Sequence, residues 1–467
     1  MSREGSLVKN TLIILFGTLL PKLSGMIVLP VITGYLSKSE LGTYDLITTL
    51  VSLLLPIITL QIQSAAFRFL IDCRNDNEDT CEIITNILTF ITIVSLFAVI
   101  IMTIVMKKFD LLTRSLICIY FYVDMLLNAV QQIVRGLSKN KLYSISAVIT
   151  SLFNMIIVLF MLIEMKAGLK GVLIAIIIAT ITAIFFIAVK INIFSYFNFK
   201  YLSINRLKTM LKYSWPMIPN SLSNWIMNLS DRLVIMQVLG VQVNAIYAVA
   251  NKLPNVFSSV QGTFVLAWQE NASIASKDSD IDEYYSNMFD SVFSILFAIM
   301  ACLIAMTPIL FKLLIRGDYI ESYYQIPILY MGMLFSAISS FMGGIYIAHK
   351  RTKDVGITTT IAAAINLIVD ILLINIIGLY AASISTLVSY FVLAIYRMYD
   401  VQKFQRVYYR KKKMIIMCCL LITMCYLCFI NKFILNIFNL ILAISLSILY
   451  NKKIILIVFR KVYLKVI

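Results

Sequence analysis

Glu40-Leu41-Gly42-Thr43-Tyr44-Asp45-Leu46 returns, loosely spelled, as Val243-Asn244-Ala245-Ile246-Tyr247-Ala248-Val249, with the two tyrosines 203 residues apart. Both stretches open an apolar run. Each follows a long segment containing prolines, Pro21 and Pro30 before the first, Pro216 and Pro219 before the second. The correspondence continues downstream. Arg135-Gly136-Leu137-Ser138-Lys139-Asn140-Lys141 leaves one apolar run, and Ile347-Ala348-His349-Lys350-Arg351-Thr352-Lys353 leaves another at an offset of 212, the offset that also separates Asn154 from Asn366. One such match is weak, but an ordered series over both halves reads as two copies of one bundle.

What kind of bundle follows from composition. The chain is 61% hydrophobic and 13% charged, with a mean hydropathy of +0.92. A soluble domain carries ~45–50% apolar and ~25% charged residues. Apolar runs of about 20 residues recur from end to end, the length that crosses a bilayer as helix. The ~10-residue alternating segments of a membrane β-barrel are missing. The first run is too long for the core of a signal peptide, and no small-residue cleavage site follows it. The expectation is an all-α polytopic membrane protein of about 14 transmembrane helices, with spans near 9–34, 41–66, 209–238 and 243–269 among them. Residues 1–200 form a first six-helix lobe and residues 201–412 a second. Residues 413–467 hold two further helices and a basic tail without a counterpart in either half. An even number of spans separates the copies, so they share one orientation and are related by an axis along the membrane normal.

Orientation follows from the cations. Of the 40 Lys and Arg residues, 28 fall on the side shared by the two termini and 9 on the other. That bias places both termini in the cytoplasm. It also accounts for most of the +17 net charge, which reads as contact with anionic membrane lipids. No basic surface outside the membrane is available to nucleic acid. Cys425-x-x-Cys428 sits in an apolar run without a partner pair, so no metal or cofactor is expected.

Three cations remain, Lys22, Arg232 and Lys252, each inside a long apolar stretch. A charge at bilayer depth costs at least ~2.5 kcal/mol, so it faces a cavity and has a job. Polar stripes run beside them. Asn220, Asn224 and Asn228 are spaced by four and lead to Asp231 and Arg232; Asn251 and Asn255 flank Lys252; Asn128 follows Asp124 by one turn. For any single Asn, bonding between helices is the plainer reading, at roughly 0.6 kcal/mol. Four acids, Asp45, Asp124, Asp231 and Asp370, lie in the same apolar stretches. Adjacent side chains on a helix diverge by about 100°, so Asp231 and Arg232 are not expected to pair with each other. Asp45, Asp124 and Asp370 are candidate structural partners for Arg232, and any of the four acids is a candidate carrier of a coupling proton or cation. Lys22 and Lys252 have no acid within a helical turn, and a role lining a polar cavity between the two half-bundles suits them better.

The long first span with Lys22, the Gly42-x-Tyr44 entry to the second span, and Asp231-Arg232 before Leu239-Gly240 and Tyr247 together resemble one family. It is the Wzx-type polysaccharide (O-antigen) flippases of the multidrug/oligosaccharidyl-lipid/polysaccharide exporter superfamily. In the second half Ala245-Ile246-Tyr247 replaces the family's common Gly-x-Tyr. The resemblance implies two six-helix lobes of MATE-like fold and no catalytic residues. It implies transport of undecaprenyl-diphosphate-linked oligosaccharide units across the bacterial inner membrane by alternating access, with polysaccharide polymerase and chain-length machinery as partners. The charges fit: a diphosphate carries about two negative charges and cannot cross ~30 Å of hydrocarbon unaided. Lys22, Arg232 and Lys252 then receive the anionic head group. Asn128, Asn220, Asn224, Asn228, Asn251 and Asn255 line the path of the sugars. Rival readings are a cation-coupled drug exporter of the same superfamily, a lipid II flippase, and a membrane enzyme, the last requiring a large external loop that the chain lacks.

Overall fold

The computed structural model describes residues 20–73, 76–107, 109–276 and 278–466, with the side chains of residues 105, 263 and 453–466 left aside. It is all-helical, with no strand among the described residues. The first part of the span expected at 9–34 lies outside them, and helix α1 is described over Leu20–Tyr35. The chain divides into two compact units, residues 1–225 and 226–467.

In the first unit α2 (Lys38–Ile58) starts at a capping box. The Ser37 hydroxyl accepts from the Glu40 amide and the Glu40 carboxylate accepts from the Ser37 amide. The second Glu40 oxygen accepts from the amide of Leu169 at the start of α7 (Gly168–Ile191), 129 residues away. A Cβ at Gly168, whose φ is +55°, would strike that carboxylate. The acid of the repeated motif thus caps one helix and ties it to another. Helices α3 (Ile62–Asp72), α4 (Asn77–Val105), α5 (Leu111–Gly136) and α6 (Asn140–Leu159, with a π turn over Phe160–Glu164) complete the bundle. Its core runs from Ile47 and Val51 through Ile83, Ile87 and Phe121 to Ile187. The chain then leaves through α8 (Ile193–Tyr196) into α9 (Ile204–Ser214), which packs on α3 and α4.

Three expected spans are corrected. The span at 41–66 is broken: α2 ends at Ile58, and Leu60 and Gln61 take left-handed φ values of +49° and +57°. Pro56 removes one backbone donor there. The stranded Leu60 carbonyl accepts from the Ser214 hydroxyl at 2.8 Å, and the side-chain amide of Gln61 donates to the Ser221 hydroxyl at 2.9 Å. The span at 209–238 is α9, a 3₁₀ turn over Trp215–Met217, and α10 (Ile218–Val238), because Pro216 and Pro219 suit helix starts, not interiors. The span at 243–269 is α11 (Val241–Ala250) followed by α12 (Lys252–Ala275). Pro254 cannot donate to the Ala250 carbonyl, so the helix parts there.

The second unit is built around α14 (Ile320–Ala348), most of which is buried, with Tyr323, Tyr330 and Tyr346 among its largest enclosed side chains. Against it pack α11, α12, α13 (Ile281–Leu314) and α16 (Tyr380–Asp400); α15 (Thr352–Ile377) lies on α16, and α17 (Lys411–Ile430) and α18 (Phe433–Val466) lie on α13. Trp268 seats its indole on Phe341, ring centroids 4.1 Å apart, and donates to the Phe341 carbonyl at 2.8 Å. It fits because residue 344 is glycine: a Cβ there would overlap the indole. Gly344→Ala is therefore expected to destabilise the protein by about 1–3 kcal/mol. Tryptophan-fluorescence melting checks this, and an unchanged midpoint would show that the indole can move aside.

Eleven described helices are long and apolar enough to cross a membrane. With that fold, this is a multi-pass membrane protein. Helices α10 and α12 are long enough but too polar for that count. They are the two that carry Asn220, Asn224, Asn228, Asp231 and Arg232, and Lys252 and Asn255.

Candidate functional site

In the second unit, Asp231 on α10 is 2% exposed. Its Oδ2 accepts from the Tyr247 hydroxyl of α11 at 2.7 Å and from the Thr386 hydroxyl of α16 at 2.9 Å. Its Oδ1 is buried and accepts no hydrogen bond. One helix over, Asp370 on α15 is 0% exposed, and neither of its carboxyl oxygens has a hydrogen-bond partner. The two acids lie within electrostatic reach of each other. Asn366, one turn before Asp370, accepts from the Ser230 hydroxyl and donates to Ser385, both at 3.4 Å. The Ala382 carbonyl faces the Tyr247 hydroxyl at 3.4 Å.

A buried carboxyl oxygen without a donor is expensive when ionised, and two such acids side by side more so. A proton or a bound cation relieves that cost. The surrounding donors are all oxygens, which suit a hard cation; no thiol or imidazole joins them. Among the described residues no three His, Cys, Asp or Glu side chains gather as a metal centre. Two carboxylates with neutral oxygens fit a proton or a single hard cation better than a transition metal.

Asn228 is exposed at one side of this cluster and accepts from the Tyr390 hydroxyl at 3.1 Å. Arg232, the next residue after Asp231, is buried at 7% exposure, and its charge bears on the Asp231 carboxylate. Asn251 is buried and donates back to the Tyr247 carbonyl of its own helix at 3.0 Å. Lys252 and Asn255 are exposed on α12.

In the first unit Lys22 is exposed on α1, and Asp45 is buried on α2 at 8% exposure. Asn128 donates to the carbonyl and carboxylate of Asp124, at 2.9 and 3.3 Å, one turn back on the same helix. Asn220 and Asn224 are exposed, and the Asn224 amide donates to the Asn220 carbonyl at 2.9 Å. These bonds run within one helix, one turn back, and not between helices.

Sequence reasoning missed Thr386, Ser385 and the part played by Asn366. It also missed Arg397 as a buried cation. Arg397 is 4% exposed, donating to the Ser339 and Val355 carbonyls at 3.0 and 3.1 Å and to the Thr358 and Thr359 hydroxyls, each at 2.9 Å. All three guanidinium nitrogens donate to neutral acceptors and hold α14, α15 and α16 together, so this cation is structural. No local signal marks it, because its acceptors lie 38 to 58 residues upstream.

The family described as "Polysaccharide biosynthesis protein" matches residues 7–269. No curated protein sequence matches this chain. Among solved structures, the chain is similar to the lipid II flippase MurJ in an inward closed conformation, with a TM-score of 0.72 at 16% identity over 95% of this chain and 100% of that one. It is similar to an inward-facing multidrug resistance MATE family transporter of the MOP superfamily, with a TM-score of 0.69 at 14% identity over 83% and 95%. A third similar structure is a MOP superfamily transporter from Pyrococcus furiosus Vc1 whose title reports a binding pocket of reverse polarity, with a TM-score of 0.56 at 13% identity over 85% and 95%.

Proposed function

The chain belongs to the polysaccharide biosynthesis protein family, and from that premise we propose that it is a flippase for undecaprenyl-diphosphate-linked oligosaccharide units in the bacterial inner membrane. The observation that carries this reading is the meeting of that family with the fold of MOP superfamily transporters, whose solved examples include a lipid II flippase. Both termini face the cytoplasm, in keeping with the positive-inside bias. No covalent chemistry is involved. The lipid tail stays in the bilayer while the head group passes by alternating access.

Lys22, Arg232 and Lys252 receive the diphosphate. Lysines on flexible stems hold phosphate as point charges, and Arg232 adds a planar fork. The exposed Asn220, Asn224, Asn228 and Asn255 serve the sugar hydroxyls. Of the four acids, Asp370 and Asp231 are the carriers of the coupling proton or cation, because together they hold three buried carboxyl oxygens without a hydrogen bond.

Deletion of the gene in its host tests the reading. Lipid-linked repeat units are expected to accumulate on the cytoplasmic face while surface polysaccharide is lost. Unchanged polysaccharide with increased drug sensitivity would favour a drug exporter instead. Loss of cell-wall precursor export would favour lipid II.

A further inference from the structure

A slot opens between α16 and α17, with α14 as its floor. Both walls belong to the second unit. Its inner stretch, about 570 Å³, is walled by Phe335, Ile338, Val388, Phe391, Ile415 and Ile422 and is almost wholly apolar. Its outer stretch, about 710 Å³, adds Tyr399, Gln402, Tyr408 and Lys411. Ile395, Met398, Met414 and Ile415 line both, so the slot is continuous. Each stretch falls within the ~300–1,000 Å³ of small-ligand sites.

The outer end is built and charged. The linker before α17 is held by Gln402, whose amide donates to the Val407 carbonyl at 2.8 Å. The Tyr409 hydroxyl donates to the Met398 carbonyl at 2.9 Å, and the Tyr408 amide donates to the Ser286 hydroxyl at 2.8 Å. Within the basic run 410–413, Asp290 takes Lys413 at 2.8 Å and Arg410 at 3.5 Å. Nearby Lys403 is spoken for by Asp400 at 2.8 Å. Lys411 has no ion pair among the described residues, and it lines the slot. The exposed Tyr399 and Tyr408 stand beside it, the residue type that marks the membrane–water boundary.

We propose that this slot binds one anionic phospholipid, with an acyl chain along the apolar stretch and the phosphate at Lys411. A basic pocket between helices at the membrane surface recognises an anionic head group, whereas the choline cation of a zwitterionic lipid offsets the pull of its phosphate on Lys411. The fixed linker means that little ordering accompanies binding.

The test uses the purified full-length chain in a neutral detergent. It is titrated with phosphatidylglycerol or with phosphatidylcholine of the same acyl chains, and bound lipid is counted by native mass spectrometry. One equivalent of phosphatidylglycerol is expected to be retained in preference to phosphatidylcholine. Lys411→Gln should weaken phosphatidylglycerol about fivefold and leave phosphatidylcholine unchanged. Ile415→Trp, at the exposed rim, should exclude both lipids, and Val388→Trp repeats that block deeper in if the first variant does not fold. Lys412→Gln is the matched control, since Lys412 does not line the slot. Equal retention of the two lipids overturns the proposal, as does an equal loss in the two lysine variants. Displacement of phosphatidylglycerol by a polyprenyl phosphate at lower concentration would give the slot to the transported lipid instead.

Discussion

Asp370→Leu is expected to abolish export while making the protein harder to unfold. A fully enclosed carboxyl group whose two oxygens accept nothing contributes no favourable bond that its removal could forfeit. It does carry a desolvation cost, and exchanging buried charged groups for apolar ones of similar volume is often neutral or stabilising by about 1–4 kcal/mol. A residue kept for architecture behaves the opposite way. Export of lipid-linked units and the thermal midpoint, measured on one preparation, separate the two. A second readout concerns the bound ion. Anything that binds the folded state raises stability by about 2.7 kcal/mol at a hundredfold excess over its Kd. Varying sodium or proton concentration should therefore shift the midpoint of the unaltered protein and not that of Asp370→Leu. Normal export by this variant would remove the acid pair from the coupling scheme.

Removing both lysines, Lys22→Ala with Lys252→Ala, is expected to cut export roughly a hundredfold or more at normal protein levels. A hydrogen bond to a charged group contributes about 1.5–3 kcal/mol, and each 1.4 kcal/mol is a factor of ten. Both side chains are exposed, so truncation opens no cavity in the packed interior. Arg232 lacks that advantage, because it is buried and its loss would confuse folding with binding. The matching pair of Arg replacements should recover part of the activity, since the charge is kept while the shape changes. A well-expressed double Ala variant that exports normally would end the proposed role of the two lysines.

The all-helical class, the membrane and the paired entry motifs were legible because they rest on composition and short-range order. Glu40 illustrates a signal that was visible but under-read. Its position after Ser37 spells a capping box, yet its second bond, to Leu169, depends on folding. The broken second span was illegible for a related reason. A hydropathy window sums side chains and is blind to backbone angles, and Leu60 and Gln61 sit left-handed with support from Ser214 and Ser221, more than 150 residues downstream. At the candidate site the acids themselves could be named from sequence. Which of them belong together could not, because Asp231, Thr386 and Asp370 come from three helices and the oxygens they lack are a property of packing. Asn128 shows the converse: a polar residue at cavity-like spacing that folds back on the carboxylate of its own helix.

The polarity of α10 and α12 has a consequence for how the protein is made. A segment carrying three asparagines, an aspartate and an arginine gains too little from lipid to leave the translocon by itself, since each central charge weighs about 2.5–3.5 kcal/mol against insertion. These two helices must be retained until later, greasier segments arrive to shelter them. For α12 that shelter is α14, more than forty residues further along the nascent chain. The second unit is then expected to enter the membrane as a group, not helix by helix. A chain truncated before α14 would be left with these two polar segments stranded at the membrane surface, as prey for quality-control proteases.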